Sequence, residues 1–201
     1  MNLSKYEGKI VRVHDIGGYI FTGTASVSPA EYGLHEFNRE EESLEINCYQ
    51  IFESDIKEIR ELPDFSVERI TEPHPLKELI HTWLSDQERQ LFENAFHKDN
   101  SDAKLIAIID RGNPIACALM EPMDPKILRI VFAAVKKEYR NQGIAAMAVS
   151  EAEAWAEEFC FLKTAVISPK KYVKFWDKML YEPAEEIKEG SSLRIRMEKV
   201  L

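Results

Sequence analysis

The stretch that most constrains the fold begins at Ile127. An apolar run, ILRIVFAAV, leads into the charged loop Lys136-Lys137-Glu138-Tyr139-Arg140-Asn141-Gln142, then Gly143 and a long amphipathic segment. Ile144, Met147, Ala148, Ala152, Trp155, Ala156 and Phe159 recur at three- and four-residue steps, which makes one apolar helical face. Glu151, Glu153, Glu157 and Glu158 fall mostly on the other. A buried strand that feeds such a helix points the helix N-terminus back over the end of the strand. The first four N–H groups there have no intrahelical acceptor and lie at the positive end of the helix dipole. Such an end takes phosphate oxygens. Gly143 and Ala145 are small enough for backbone to approach them, and Arg140 adds a cation at the loop entrance.

The flanking pattern is mixed. Helical periodicity is expected over residues 76–84 and, with Ser85 as N-cap, over 86–96. Two apolar strands, 104–109 and 114–120, are joined by the turn Asp110-Arg111-Gly112-Asn113. A short β-branched strand at 164–168, a short helix at 171–179 and an alternating strand at 193–200 follow. Upstream, residues 8–14, 18–25, 43–49, 50–53 and 56–62 alternate at period two with Gly and Asp at the joints, the pattern of a small antiparallel barrel. Residues 31–42 read as a polar loop, with Glu40, Glu41 and Glu42 solvated. Pro63, Pro73 and Pro75 mark 63–75 as a linker. The expected organisation is therefore a barrel at 1–62, a linker at 63–75 and a second domain at 76–201.

Charge and composition exclude several functions. The net charge is −9, against the sign that neutralising phosphates requires, and it suits a cationic partner such as an amine. Residues 1–62 hold six Lys/Arg against twelve Asp/Glu, a balance of −6, so most of the charge lies there. No apolar run approaches the ~20 residues of a membrane-spanning helix. The N-terminus lacks the basic-then-apolar pattern of a signal peptide, so a cytoplasmic protein is expected. Cys48, Cys117 and Cys160 are odd in number and far apart, and are expected to be buried free thiols. His14, His35, His74, His81 and His97 show no metal-ligand spacing, and no metal is expected.

The loop at 140–145 resembles the Q/R-x-x-G-x-G/A signature of the GNAT superfamily, with Arg140, Gly143 and Ala145 in its defined positions. Lys174-Phe175-Trp176-Asp177-Lys178-Met179-Leu180-Tyr181 resembles the family's "FYxKxGF" segment, and the element order over roughly residues 70–201 is similar. The resemblance implies an α+β acyl-CoA N-acyltransferase fold: a mixed, splayed central sheet flanked by helices, here preceded by a small all-β barrel. It implies acetyl-CoA in the cleft where strands 127–135 and 164–168 part. The pantetheine arm would pair with Ala133, Ala134 and Val135. The pyrophosphate would sit on Asn141, Gln142, Gly143, Ile144 and Ala145 beside Arg140, with Phe175 and Lys178 also contacting the cofactor. An amine, on a small molecule or a protein, would attack the thioester directly in a ternary complex.

Three positions depart from the family pattern. Trp176 stands where a tyrosine often serves as general acid, Ser168-Pro169 replaces a common asparagine, and Leu180 replaces the glycine of "GF". Arg129 stands where some members carry a basic glutamate. Glu121 is the substitute candidate base, and Tyr172, four residues before Trp176 and on the same face of a helix, is the candidate acid. Residues 6–13, 17–23 and 54–59 resemble parts of an Sm motif, or more broadly an SH3-like barrel, but the RNA-contact positions of Sm proteins do not match. The barrel reads as a protein-interaction or substrate-positioning module. Two other readings remain open: a non-catalytic acyl-CoA-binding or sensory module, and an RNA-directed acetyltransferase with the barrel as RNA handle.

Overall fold

The computed structural model describes residues 1–46, 49–71, 75–96, 102–189 and 192–201. Cys48, Pro73, His74 and His97 lie outside them. The chain divides into two compact units, Met1–Asp64 and Phe65–Leu201.

In the first unit, β1 (Ile10–Asp15), β2 (Ile20–Ser28), β3 (Ser43–Ile46), β4 (Tyr49–Phe52) and β5 (Ile56–Glu61) form an antiparallel sheet of order β4-β3-β2-β1-β5. Alternation decides which side is inside. Val11 and Val13 are fully buried with Leu44 and Ile46, while Arg12 and His14 occupy the opposite face of β1. The expected polar loop is partly wrong: α1 (Ala30–Phe37) occupies its first half. Ala30, Leu34 and Phe37 carry a helical spacing that the surrounding charges obscure, and Asn38 at φ +55° ends the helix in the left-handed region. Gly33 allows the close approach, since a Cβ there would lie 2.6 Å from the Arg39 carbonyl. Nor are all three glutamates simply solvated. Glu41 binds the Arg39 guanidinium and the Ser54 amide, and Glu42 accepts from the Leu3 amide at 3.4 Å.

The second unit is built on β6 (Ser66–Ile70), β7 (Lys104–Asp110), β8 (Asn113–Asp124), β9 (Ile127–Val135), β10 (Lys163–Pro169), β11 (Glu182–Glu189) and β12 (Ser192–Val200), in the order β11-β12-β10-β9-β8-β7-β6. Two helices, α2 (Pro75–His81) and α3 (Asp86–Phe96), cover one face. Their Ile80, Leu84 (just beyond α2), Phe92 and Ala95 pack on Leu105, Ala107, Cys117 and Leu119. The alternate residues Ile106, Ile108, Ala116 and Ala118 are equally buried and, by the two-residue period, face the other side, where α4 (Ile144–Glu158) lies. A short helix, α5 (Val173–Lys178), follows β10. Ser85 caps α3 as expected. Its amide and hydroxyl both donate to Glu88, whose own amide reaches back to the Ser85 hydroxyl.

Several expectations fail here. Residues 63–75 are not a plain linker, because Ser66–Ile70 pairs antiparallel with β7 as an outer strand. The prolines bracket this stretch rather than interrupt it. The helix expected over 76–84 stops at His81, where the Trp83 amide bonds back only three residues to Ile80. Strand β11 is an additional element that no alternation or apolar run in the sequence marks. Its Glu-rich, Pro-containing sequence suits an outermost strand, where one pairing partner suffices and charge discourages another. Cys117 is buried, and burial pushes its thiol up, but Cys160 is exposed.

Candidate active site

Strands β9 and β10 are parallel, the one parallel pairing among the described strands of this sheet. Their register runs from Ile127↔Lys163 to Ile130↔Val166 and then stops, although β9 continues to Val135 and β10 to Pro169. The cause lies on the opposite edge of β9. Leu119 pairs with Phe132 and Met120 with Ile130, so Val131 is an extra residue on β9. A bulge of this kind bends the strand and increases its twist. The bend falls at the last β9–β10 pair, so the strands diverge. The backbone edge over Ala133, Ala134 and Val135 then faces the opening, while their other edge stays bonded to β8.

The loop after β9 wraps over the start of α4. Its first turn, Lys137–Tyr139, is tied down by the Tyr139 hydroxyl, which donates to Asp110 at 2.9 Å and is pushed up in pKa by that carboxylate. Asn141 (φ +61°) and Gly143 (φ +82°) take left-handed conformations that reverse the chain onto the helix axis. The first helical bond runs from the Met147 amide to the Gly143 carbonyl at 3.1 Å. The amides of Ile144, Ala145 and Ala146 precede it and point out of the positive end of α4. Arg140 donates through Nε to the Val135 carbonyl at 3.1 Å, linking strand end to loop and holding its charge at the mouth. Gln142 donates to the Glu138 carbonyl at 3.3 Å and so shapes the loop. The side chain of Ile144 is buried, which leaves its amide as the part available to a ligand.

The opposite wall is β10 with α5. Phe175 stacks edge-on against Trp176 (5.0 Å between centroids), which stacks against Tyr181 (5.1 Å). Trp176 is 5% exposed and Tyr172 is 52% exposed. The expected common face of these two is therefore a correction: Tyr172 is the N-cap of α5, outside the helix, and lies on the surface with the Lys171 ammonium 4.7 Å above its ring. Lys178 is exposed in the last turn of α5. Leu180, in the glycine position of the resembled motif, keeps glycine's backbone at φ +67°. Ser168 is buried and donates to the Pro169 carbonyl at 3.2 Å.

The candidate base has a partner that sequence reading missed. Glu121 lies opposite Arg129 in the β8–β9 register, and the two form an ion pair. The hairpin alternation contained this pairing, but the irregular register between Pro122 and Asp124 hid it. Among the described residues no cluster of His, Cys, Asp and Glu could hold a metal, and no helix is long and apolar enough to cross a membrane.

Comparison with known proteins agrees with this geometry. A GNAT family acetyltransferase from Elizabethkingia anophelis with acetyl-CoA bound has the same fold, at 17% identity and a TM-score of 0.56, over 70% of this chain and 100% of that one. The PaiA N-acetyltransferase from Thermoplasma acidophilum, in complex with coenzyme A, is 14% identical with a TM-score of 0.53, over 68% and 99% of the two chains. An aminoglycoside 6'-N-acetyltransferase from Enterococcus faecium is 11% identical with a TM-score of 0.58, over 67% and 96%. No curated protein matches the chain by sequence. The profile of the acetyltransferase (GNAT) family matches residues 63–179, more than half of the 201 residues and all of the β9–loop–α4 junction. On that match, the chain belongs to the GNAT family and is an acetyltransferase.

Proposed function

We propose that the enzyme transfers the acetyl group of acetyl-CoA to a primary amine by direct attack in a ternary complex. The observation that carries this reading is the divergence of β9 from β10 beyond Ile130, beside the start of α4, whose first amides precede the first helical bond at Met147 and so have no intrahelical acceptor. In this reading the pyrophosphate rests on the Ile144 and Ala145 amides under the loop of Arg140, Asn141, Gln142 and Gly143. The pantetheine arm pairs with the open edge of Ala133, Ala134 and Val135, as a further strand would. Phe175 and Lys178 stand on the far wall. Acetyl-CoA and coenzyme A bound to the relatives from E. anophelis and T. acidophilum support the choice of cofactor.

The chemistry needs three things. The amine nitrogen must be aligned with the thioester carbon. An ammonium proton must be removed, against a reference pKa of ~10.4 for a lysine-like amine. The sulfur must leave with a proton as the C–N bond forms and the C–S bond breaks. A backbone N–H of bulged β9 polarises the carbonyl. Glu121, held by Arg129, takes the acceptor's proton through an intervening water, and Tyr172 protonates the thiolate. Trp176, buried in an aromatic stack, supplies no proton.

The first unit serves as a separate Sm-like or SH3-like small barrel that positions acceptors and does not bind RNA. Its strand order, with β1 paired on both sides, and the single 3-10 turn Glu53–Asp55 between β4 and β5 support this, as does its acidity.

The test is calorimetric. The wild type should bind acetyl-CoA, and Gly143→Asp, which places a carboxylate where the pyrophosphate rests, should lose at least a hundredfold in affinity. Equal affinity would sink the assignment. Release of free thiol from acetyl-CoA with an amine panel then identifies the acceptor. Binding without thiol release on any amine would establish a non-catalytic acyl-CoA module instead.

A further inference from the structure

Four polar side chains, from three elements and one loop, meet in the interior of the second unit. Thr164 of β10 is 0% exposed, Tyr181 between α5 and β11 is 1%, Glu153 of α4 is 6% and Lys199 of β12 is 7%. The Lys199 ammonium donates to the Glu153 carboxylate at 2.7 Å and lies 5.8 Å from the centre of the Tyr181 ring. The Tyr181 hydroxyl and the Thr164 hydroxyl share a hydrogen bond of 2.8 Å. Burial pushes the Glu153 carboxyl up, against the pull of Lys199. None of these groups lies on the β9 edge or the α4 N-terminus, and the chemistry above uses none of them.

Their place in the sheet is informative. Leu128, Thr164 and Lys199 stand side by side on β9, β10 and β12. That row lies two residues below Ile130↔Val166, the last pair before the strands diverge. One wall of the cleft is β9 with α4, and the other is β10 with β12 and α5. The walls share four β9–β10 register pairs. At this apex Glu153 reaches from the first wall to Lys199 of the second, and Tyr181 ties the end of α5 to β10.

Stability alone gives no reason for such a group. A buried ion pair is often matched or bettered by well-packed apolar residues of the same volume, because desolvation cancels the attraction. Hydrogen bonds differ from apolar contacts in being directional, so they hold one angle where an apolar joint would allow slip. We propose that Glu153, Lys199, Tyr181 and Thr164 are positioning residues that set the opening angle of the acetyl-CoA cleft. This rests on the cleft assignment above.

The test compares the full-length wild type with Glu153→Leu/Lys199→Met and with Tyr181→Phe. The double variant should melt within a few degrees of the wild type. Hydrogen exchange of the ligand-free protein should be at least tenfold faster over residues 167–178. Acetyl-CoA should bind about tenfold more weakly, with kcat within twofold. Tyr181→Phe removes one hydroxyl and should weaken acetyl-CoA about threefold without unfolding, so the proposal stays testable if the double variant fails to fold. Wild-type exchange over 167–178 in folded variants would overturn the proposal, and so would unchanged acetyl-CoA affinity. The exchange arm needs no ligand. It therefore separates this proposal from the cleft assignment, which Gly143→Asp tests.

Discussion

Leu180 offers a test in which the usual ranking of two substitutions should reverse. It follows α5 with φ +67°, a conformation glycine adopts freely and leucine does not. For a residue with a Cβ, the left-handed region costs roughly 1–2 kcal/mol. Leu180→Ala and Leu180→Gly both discard a half-buried isobutyl group, so packing losses nearly cancel between them. Alanine keeps the backbone strain and glycine removes it. Glycine in turn gives up roughly 0.4–1 kcal/mol through the greater freedom of its unfolded chain. The difference leaves Leu180→Gly more stable than Leu180→Ala by about 0.5–1 kcal/mol, whereas within a regular element alanine is the better residue by a similar amount. Trp83, Trp155 and Trp176 are the three tryptophans of the chain, and all lie in the second unit, so fluorescence follows its unfolding. At ~2–4 °C per kcal/mol for a protein of this size, the glycine variant should melt about 1–4 °C above the alanine variant. An alanine variant as stable as the glycine one, or more so, would refute left-handed strain at this position.

Tyr172→Phe should lower turnover at least tenfold with acetyl-CoA affinity unchanged, within the ~10²–10⁴-fold range of a general acid; turnover within twofold of wild type would remove tyrosine from the mechanism. Limited proteolysis should cut first at residues 62–64, because β6 begins at Ser66, and a first cut within Ser66–Ile70 would contradict the two-unit division. The Glu41 carboxyl is held below its ordinary value of 4.5, first by the Ser54 amide and also by the Ser54 hydroxyl and Arg39. Its contribution to stability is therefore present above that value and lost as pH falls through the lower folded one. Protection from hydrogen exchange over residues 49–61, taken relative to the intrinsic rate at each pH, should fall on acidification below about pH 4.5 in the wild type and change less in Glu41→Gln. Identical pH profiles would count against that linkage.

What was legible in the sequence was whatever a strong local pattern demanded. β9 and α3 begin and end where alternation, apolar runs and the Ser85 cap place them. The two strands that were not legible, β6 and β11, are the outer strands of the second sheet. An outer strand has one bonded edge, so SVERI and EPAEEIKE carry little of the apolar signal that marks a buried strand. Helix α1 was hidden for a related reason: only Gly33 of its residues is counted as buried, and the charges around it dominate the local composition.

The same distinction divides the candidate site. The groups proposed to hold the cofactor are backbone groups: the open edge of β9 and the amides at the start of α4. Backbone arrangement follows from where a strand ends, where a left-handed residue falls and where a helix starts, and Asn141, Gly143 and the apolar face of α4 specify all three locally. The groups proposed to move protons are side chains whose surroundings come from distant segments. Glu121 meets Arg129 through a register with two irregularities, and Tyr172 sits at the surface because α5 starts one residue later. Neither placement can be counted off along the chain. For the same reason Trp176 and Leu180 are compatible with an intact cofactor cleft. Trp176 has become part of the packing between α5 and Tyr181, and Leu180 keeps the glycine backbone at a cost in strain. Neither contributes a backbone group to the edge of β9 or the start of α4. The departure at Trp176 alters proton transfer to the leaving thiolate, and it leaves the amides proposed to receive the pyrophosphate where they are.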